Sequence, residues 1–230
     1  ITGTHLSPAI AVARKFREQK YNVVFISRKY ALEGDQALSL DYQTITKEGF
    51  EFKDLITGRL QRKWTRYTLP SLLKIPIGLF EALWILTRFK PDVILSFGGY
   101  VSLPVTLMGF IFGIPIIIHE QTVGAGLSNR IGGLFAKKVL ISWESSQKFF
   151  PKDKTILTGN PIREEIFSAK LADSIFNSKI KNKNLPMIYI TGGSLGSHTI
   201  NVAMEKIISR LLDDFVIIHQ TGDARKYKDF

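Results

Sequence analysis

Apolar and polar positions along this 230-residue chain fall into short blocks whose period keeps changing. Residues 22–27 (NVVFIS) form a nearly unbroken apolar run of strand length, the pattern of a strand covered on both faces. Just ahead of it, residues 8–19 carry helical spacing, and Pro8 fits the first turn, where its missing N–H is no loss. Strand-like runs return at 92–97 (DVILSF), 114–119, 138–142, 187–191 and 215–219. Helical patterns at 77–89, 101–112, 126–136 and 198–212 separate most of them. Residues 31–58 are mixed, with a short strand expected at 42–45. Short apolar strands alternating with helices predict an α/β fold of doubly wound parallel sheets. Gly159-Asn160-Pro161 punctuates the chain and a polar, lysine-rich stretch follows at 176–186. A domain boundary is therefore expected near Asn160, with a first domain over 1–160. The second unit, 161–230, is too short to complete a doubly wound domain.

One apolar stretch invites another reading. No charged residue occurs between Asp92 and His119, which is long enough for a membrane span. Gly98, Gly99, Pro104, Gly109, Gly113 and Pro115 interrupt it, however, and divide it into strand, turn, helix and strand.

Composition narrows the chemistry. Hydrophobic residues make up 45% of the chain and charged residues 22%, which suits a folded globular protein. Absence of cysteine excludes disulfides and thiolate metal sites, and His5, His119, His198 and His219 lie too far apart in sequence for metal-ligand spacing. The net charge of +11 calls for a polyanionic partner: nucleic acid, anionic lipid or a phosphorylated substrate. Much of it sits in one stretch, where Arg59, Arg62, Lys63, Arg66, Lys74, Arg88 and Lys90 face a single acid, Glu81. Leu79, Phe80, Leu83 and Trp84 lie among them. The aliphatic character of this apolar side favours a lipid interface over single-stranded nucleic acid. A helix that turns its apolar side to the core and its basic side to water is the alternative.

Four loops carry candidate chemistry. Residues 190–197 (ITGGSLGS) lie between a strand and a helix, so the backbone N–H groups around Gly193 and the hydroxyl of Ser194 could hold a phosphate at the helix N-terminus. A tight turn that binds nothing has the same pattern. A dinucleotide loop would predict an acid at the end of the next strand, where Gln220 stands instead. Gly3-Thr4-His5 places a histidine at the tip of a loop before a helix, where a neutral imidazole can accept a proton. Gly98-Gly99-Tyr100 is a third loop of this kind, and His119-Glu120-Gln121 ends a strand in a dense polar cluster. That cluster reads equally as ligand contact or as a hydrogen-bonded support for the loop after it. In open α/β sheets ligands bind at strand C-terminal ends, where all four loops are expected.

These motifs, in this order, resemble the bacterial MurG family: Gly98-Gly99-Tyr100-Val101-Ser102, His119-Glu120-Gln121, Gly159-Asn160-Pro161-Ile162-Arg163 and Gly192-Gly193-Ser194-Leu195-Gly196. Thr4-His5 with Pro8-Ala9 is similar to the end of the family's first glycine loop, and His219-Gln220-Thr221-Gly222 to a further strand end. The resemblance implies a GT-B fold of two facing Rossmann-like domains, the second incomplete here. It implies inverting transfer of N-acetylglucosamine from UDP-N-acetylglucosamine to lipid I, giving lipid II for peptidoglycan synthesis, with neither metal nor cofactor. His5 then corresponds to the acceptor-activating base. Thr4, His5, Thr122, Arg163, Gly193 and Ser194 fall at donor-binding positions, and Gly98, Gly99, Tyr100, His119, Glu120 and Gln121 at acceptor-binding ones. Leu79, Phe80, Leu83 and Trp84, with Arg62, Lys63, Arg66, Lys74 and Arg88, would dock on an anionic membrane surface. The implied place is the cytoplasmic face of the cell membrane, peripherally bound, with no nucleic-acid partner.

The first loop here holds fewer glycines than is usual in the family, and Thr122 stands where asparagine is common. Both ends of the chain read as cut, and the family's uracil and ribose contacts fall beyond Phe230, so the stretch alone is expected to be inactive. A membrane-surface transferase for a different lipid, or a noncatalytic recruitment subunit of a split transferase, would share these features.

Overall fold

The strand pattern folds into parallel layers. In the computed structural model, which describes residues 1–30, 38–58, 68–167, 185–193 and 196–222, the first layer contains β1 (Val24–Ser27), β2 (Glu51–Asp54), β3 (Ile94–Ser96), β4 (Ile116–Glu120), β5 (Lys138–Ile141) and β6 (Thr155–Leu157). β1 pairs with β2, and β3 through β6 pair in sequence order, every ladder parallel. Thr2 joins the two groups, bridging to Ile26 on one side and Ser96 on the other. The Gly3-Thr4-His5 loop therefore emerges between β1 and β3.

Helices cover both faces. α1 (Leu6–Glu18) and α2 (Leu40–Lys47) lie on one, where Ala9, Ile10, Ala13 and Ile45 pack with Phe25, Leu95 and Phe97. α3 (Thr68–Phe89), α4 (Ser102–Ile111) and α5 (Leu127–Phe135) lie on the other. There Ala82, Ile85, Leu86, Val101 and Val105 pack with Ile94, Ile116, Ile118 and Val139. Neighbouring strand residues such as Ile94 and Leu95 serve opposite cores, as the alternation of side chains across a strand requires. The charge-free interval is indeed β3, a glycine turn, α4 and β4. Among the described residues, no helix is long and apolar enough to cross a membrane.

The strand expected at 42–45 is a helix instead, α2. Tyr42, Thr44, Ile45 and Thr46 favour a strand locally, but Ser39 accepts a bond from the Tyr42 N–H at 3.1 Å and caps the helix, with Asp41 in its first turn. Gly49, at φ +77°, ends the turn that follows, and the strand comes after it as β2. α3 also starts earlier than residue 77, running through Pro76.

The chain divides into Ile1–Phe167 and Ser168–Phe230, past the Gly159-Asn160-Pro161 turn. In the second unit β7 (Met187–Thr191) and β8 (Val216–Gln220) pair in parallel, and α6 (His198–Leu211) connects them. This is one strand–helix–strand repeat of the kind the pattern predicted.

Candidate functional site

At the C-terminal ends of the first layer's strands, two glycine loops are zipped together. The Thr4 N–H donates to the Gly98 carbonyl at 3.0 Å. Gly3, Gly98 and Gly99 all have positive φ. A Cβ on Gly99 would stand 2.3 Å from the Thr4 hydroxyl oxygen, and one on Gly3 2.7 Å from the Gly98 oxygen. Only glycine permits both the conformation and the approach.

Beside this junction opens a cavity of about 470 Å³. Thr4, His5, Gly99 and Tyr100 line it, as does Arg28, which follows β1. Ile75 and Leu79 of α3, Leu103 and Leu107 of α4 and Leu127 of α5 form its apolar walls. Polar groups and one cation thus share a single pocket with hydrocarbon side chains. His5 occupies the N-cap position of α1 without a side-chain capping bond and is one of the residues lining the cavity. Loss of water against the cavity walls pushes its pKa below the ordinary 6.5; the charge of Glu120 opposes that shift and His119 adds to it. The neutral, proton-accepting form is the favoured one.

His119 and Glu120 are only 2% exposed. His119 Nε2 donates to the Gly159 carbonyl at 3.1 Å, joining two of the motifs. One Glu120 oxygen accepts from the Thr122 N–H (3.0 Å) and lies 2.6 Å from its hydroxyl. The other accepts from the Gly126 N–H and Asn129 Nδ2, each at 3.0 Å. Glu120 thereby fixes the loop over 122–126 and the start of α5, which carry Gly126, Leu127 and Ser128 into the cavity wall. The Thr122 hydroxyl faces that carboxylate and the Gly124 carbonyl at 2.7 Å. Gln121 Nε2 reaches the Phe97 carbonyl at 3.4 Å.

Arg163 is exposed at the end of the Gly159–Arg163 segment, just before a turn of 3-10 helix, Glu164–Ile166. In the second unit Gly193 and Gly196 take positive φ, and a Cβ on Gly196 would lie 1.8 Å from the Thr221 oxygen. The glycine loop is therefore wedged against the end of β8, ahead of the N-terminus of α6. Gln220 Oε1 accepts from the Tyr189 and Thr191 hydroxyls at 2.7 and 2.9 Å, so the residue at the strand end ties β8 to β7. Ser194, Arg62, Lys63 and Arg66 lie outside the described residues.

α3 presents two faces. Ala82, Ile85 and Leu86 enter the core, while Leu73, Ile77, Phe80 and Trp84 are exposed, Phe80 at 71% and Trp84 at 59%. Leu79 and Leu83 are half-buried, as is Lys74, and the exposed Arg88 stacks on Trp84 with its guanidinium carbon 5.4 Å from the ring centre. The lone acid of the basic stretch, Glu81, accepts from the Ile56 N–H at 2.6 Å and ties α3 to the chain after β2. Arg28 went unremarked in the sequence, although its place directly after a predicted strand marks it as a strand-end residue. Asn129 had no such signal, since its role depends on Glu120 beneath it.

Parallel layers with glycine loops at the strand ends make a doubly wound α/β fold, and GT-B glycosyltransferases of known structure share it. The glycosyltransferase family 28 N-terminal domain matches residues 2–141, and the chain belongs to that family. It is 36% identical over 230 residues to the UDP-N-acetylglucosamine--N-acetylmuramyl-(pentapeptide) pyrophosphoryl-undecaprenol N-acetylglucosamine transferase of Thermoanaerobacter sp. (strain X514), covering 99% of this chain and 60% of that protein. The namesake from Clostridium botulinum (strain Langeland) is 32% identical, with coverage of 97% and 60%. The chain thus spans about 60% of the length of these curated relatives. Among solved structures, Acinetobacter baumannii MurG superposes with a TM-score of 0.60 at 23% identity, over 99% of this chain and 58% of that one. UDP-GlcNAc 2-epimerase from Neisseria meningitidis shares the fold with a TM-score of 0.55 at 19% identity, over 98% and 66%. The resemblance drawn from the motifs agrees with the names of these relatives.

Proposed function

We propose that the complete protein transfers N-acetylglucosamine from UDP-N-acetylglucosamine to the muramyl sugar of a lipid-linked diphosphate acceptor, as its relatives are named for doing. The observation that carries this reading is the mixed lining of the cavity. Thr4, His5, Arg28 and Tyr100 offer hydroxyls, a neutral base and a cation, and leucines of α3, α4 and α5 offer hydrocarbon walls in the same pocket. A sugar diphosphate on a prenyl chain combines the same two kinds of surface.

In the proposed reaction the acceptor's 4-hydroxyl attacks the anomeric carbon of the donor sugar, and His5 takes the hydroxyl proton as the new bond forms. The bond from that carbon to the UDP oxygen breaks, and the departing diphosphate gathers negative charge. Arg163, the backbone around Gly193 and the N-terminus of α6 are suited to stabilise that charge, with Ser194 as a further donor. Displacement from the opposite side inverts the anomeric configuration. Thr4, which lines the cavity with His5, positions the reacting groups in this reading. Gly98 and Gly99 give the acceptor diphosphate close access to backbone, and His119, Glu120, Gln121 and Thr122 hold that geometry from beneath. Exposed Phe80 and Trp84, with Arg88 and Lys74, form the surface that meets an anionic bilayer from the cytoplasmic side, peripherally, and Arg62, Lys63 and Arg66, which precede them in the sequence, add to the positive charge. Peptidoglycan precursor synthesis, and with it cell division and shape, is the process such an activity serves.

The test is UDP release by the complete protein with UDP-N-acetylglucosamine and a short-chain muramyl diphosphate acceptor. Release that requires the acceptor is expected. Conversion of the donor to its 2-epimer without acceptor would instead place the protein functionally with the epimerases that share its fold.

A further inference from the structure

Arg28 is a cation in the cavity wall, and among the described residues its guanidinium has one hydrogen-bond partner, Tyr100. β1 ends at Ser27, which is buried, its hydroxyl 3.1 Å from both the Gly3 carbonyl and Asp41 Oδ2. The next residue, Arg28, is half-buried, and its backbone carbonyl accepts from the Ser39 hydroxyl at 2.7 Å, which fixes where the side chain starts. From there the guanidinium reaches the cavity. Nη1 donates to the Tyr100 hydroxyl at 3.2 Å, and the guanidinium carbon lies 5.8 Å from the centre of that ring. Arg28 forms no salt bridge with any described residue. Among the described residues lining the cavity it is the one lysine or arginine, and no carboxylate lines the cavity beside it.

A guanidinium carries five N–H donors in a fixed fork. The Tyr100 hydroxyl occupies one of them, and Asp41 lies near enough to feel the charge without forming an ion pair with it, so partial withdrawal from water leaves the cation only partly compensated. An anion brought to the guanidinium would satisfy both. Leu79, Leu103 and Leu107, in the wall of the same cavity, suit a chain without charge. We propose that Arg28 is the anchor for the diphosphate of a prenyl-diphosphate acceptor, gripping it together with the Tyr100 hydroxyl while the prenyl chain runs toward α3 and α4. This rests on the lipid-acceptor reading and adds to it a residue outside the motifs that carry the family resemblance. A diphosphate could also arrive as the UDP of the donor, so the two sources need separate arms.

The experiment is calorimetric titration of the complete protein with farnesyl diphosphate, with farnesol and with UDP, using wild type, Arg28→Gln and Arg28→Lys. Wild type is expected to bind farnesyl diphosphate more tightly than farnesol. Arg28→Gln should weaken farnesyl diphosphate roughly 10–100-fold, the scale of charge-assisted hydrogen bonds lost from a shielded site, and leave farnesol and UDP unchanged. Arg28→Lys keeps the charge but not the fork and should fall between; it carries the comparison if Arg28→Gln melts below the assay temperature. Equal farnesyl diphosphate affinity in wild type and both variants would overturn the anchor. So would an equal loss of farnesol binding, which would make Arg28 a wall of the cavity, or a loss confined to UDP, which would assign it to the donor. In the last three cases the lipid-acceptor reading survives. A wild-type protein that binds neither farnesyl compound overturns that reading and the anchor together.

Discussion

His5 owes its chemistry to its surroundings more than to its own side chain. It sits at an N-cap without capping, in a cavity whose walls favour the neutral imidazole, with its pKa held below 6.5. Because the folded protein binds this proton less readily than the unfolded chain, His5 costs stability as pH falls below the ordinary histidine value; above it the residue is neutral in both states. The catalytic consequence runs the same way: the base form persists to pH values below 6.5. The acid limb of kcat/KM for the acceptor is therefore expected below 6.5, and His5→Ala should lower kcat by about 10²–10⁴-fold and remove that limb. A pH–rate profile of the two proteins checks this. A loss under about threefold with the limb intact would make His5 a structural residue. His5 and the glycines around it were legible in the sequence, because glycine and histidine at a strand end are few-purpose choices. Arg28 was not, since one arginine among many acquires meaning only when Tyr100 and the leucine walls surround it. Glu120 was readable as a polar cluster, but its use as a loop support shows only in its four bonding partners.

Among the elements, the long apolar strands and their helices declared themselves through period alone. α2 did not, because its β-branched run outweighs, on paper, the cap that Ser39 supplies. β6 was missed too, an edge strand of three residues, Thr155–Leu157, too short to set a pattern. α3 was visible from residue 77 onward, and the unsettled question was which side of it faced water. Gly78 decides the packing: a Cβ there would stand 2.3 Å from the Thr57 hydroxyl oxygen, so the helix lies directly on the chain after β2. That contact, with Ala82, Ile85 and Leu86 in the core, turns Leu73, Ile77, Phe80 and Trp84 outward. Since Phe80 and Trp84 are exposed, replacing both with serine should leave the melting temperature nearly unchanged. The same double variant should bind vesicles containing anionic lipid at least about tenfold more weakly, given the apolar area each ring would bury. Sedimentation with such vesicles, at low and high salt, measures it. High salt should weaken the wild type's binding as well. Binding indifferent to both the substitutions and salt would leave the basic, apolar face of α3 without a membrane role.

At the scale of the molecule, a net charge of +11 and an apolar stripe on one helix accompany a cavity lined by both polar and hydrocarbon side chains. Charge alone fitted nucleic acid as well as lipid. The aliphatic residues among the basic ones favour lipid, and the exposed stripe of α3 is the face on which the vesicle experiment tests that reading. The second unit supplies a strand–helix–strand repeat: β7 falls at the expected 187–191, while β8 runs Val216–Gln220 where 215–219 was expected. Joining these parts into one activity is the central claim, and the identity of the product tests it most directly. The complete protein, incubated with UDP-N-acetylglucosamine and a muramyl diphosphate lipid, is predicted to yield a disaccharide lipid. Mass spectrometry and NMR should find N-acetylglucosamine on the 4-hydroxyl of the muramyl sugar in the β configuration, inverted from the α-linked donor. A product with the α linkage, or an unmodified acceptor under conditions where the Thermoanaerobacter relative converts it, would contradict the account.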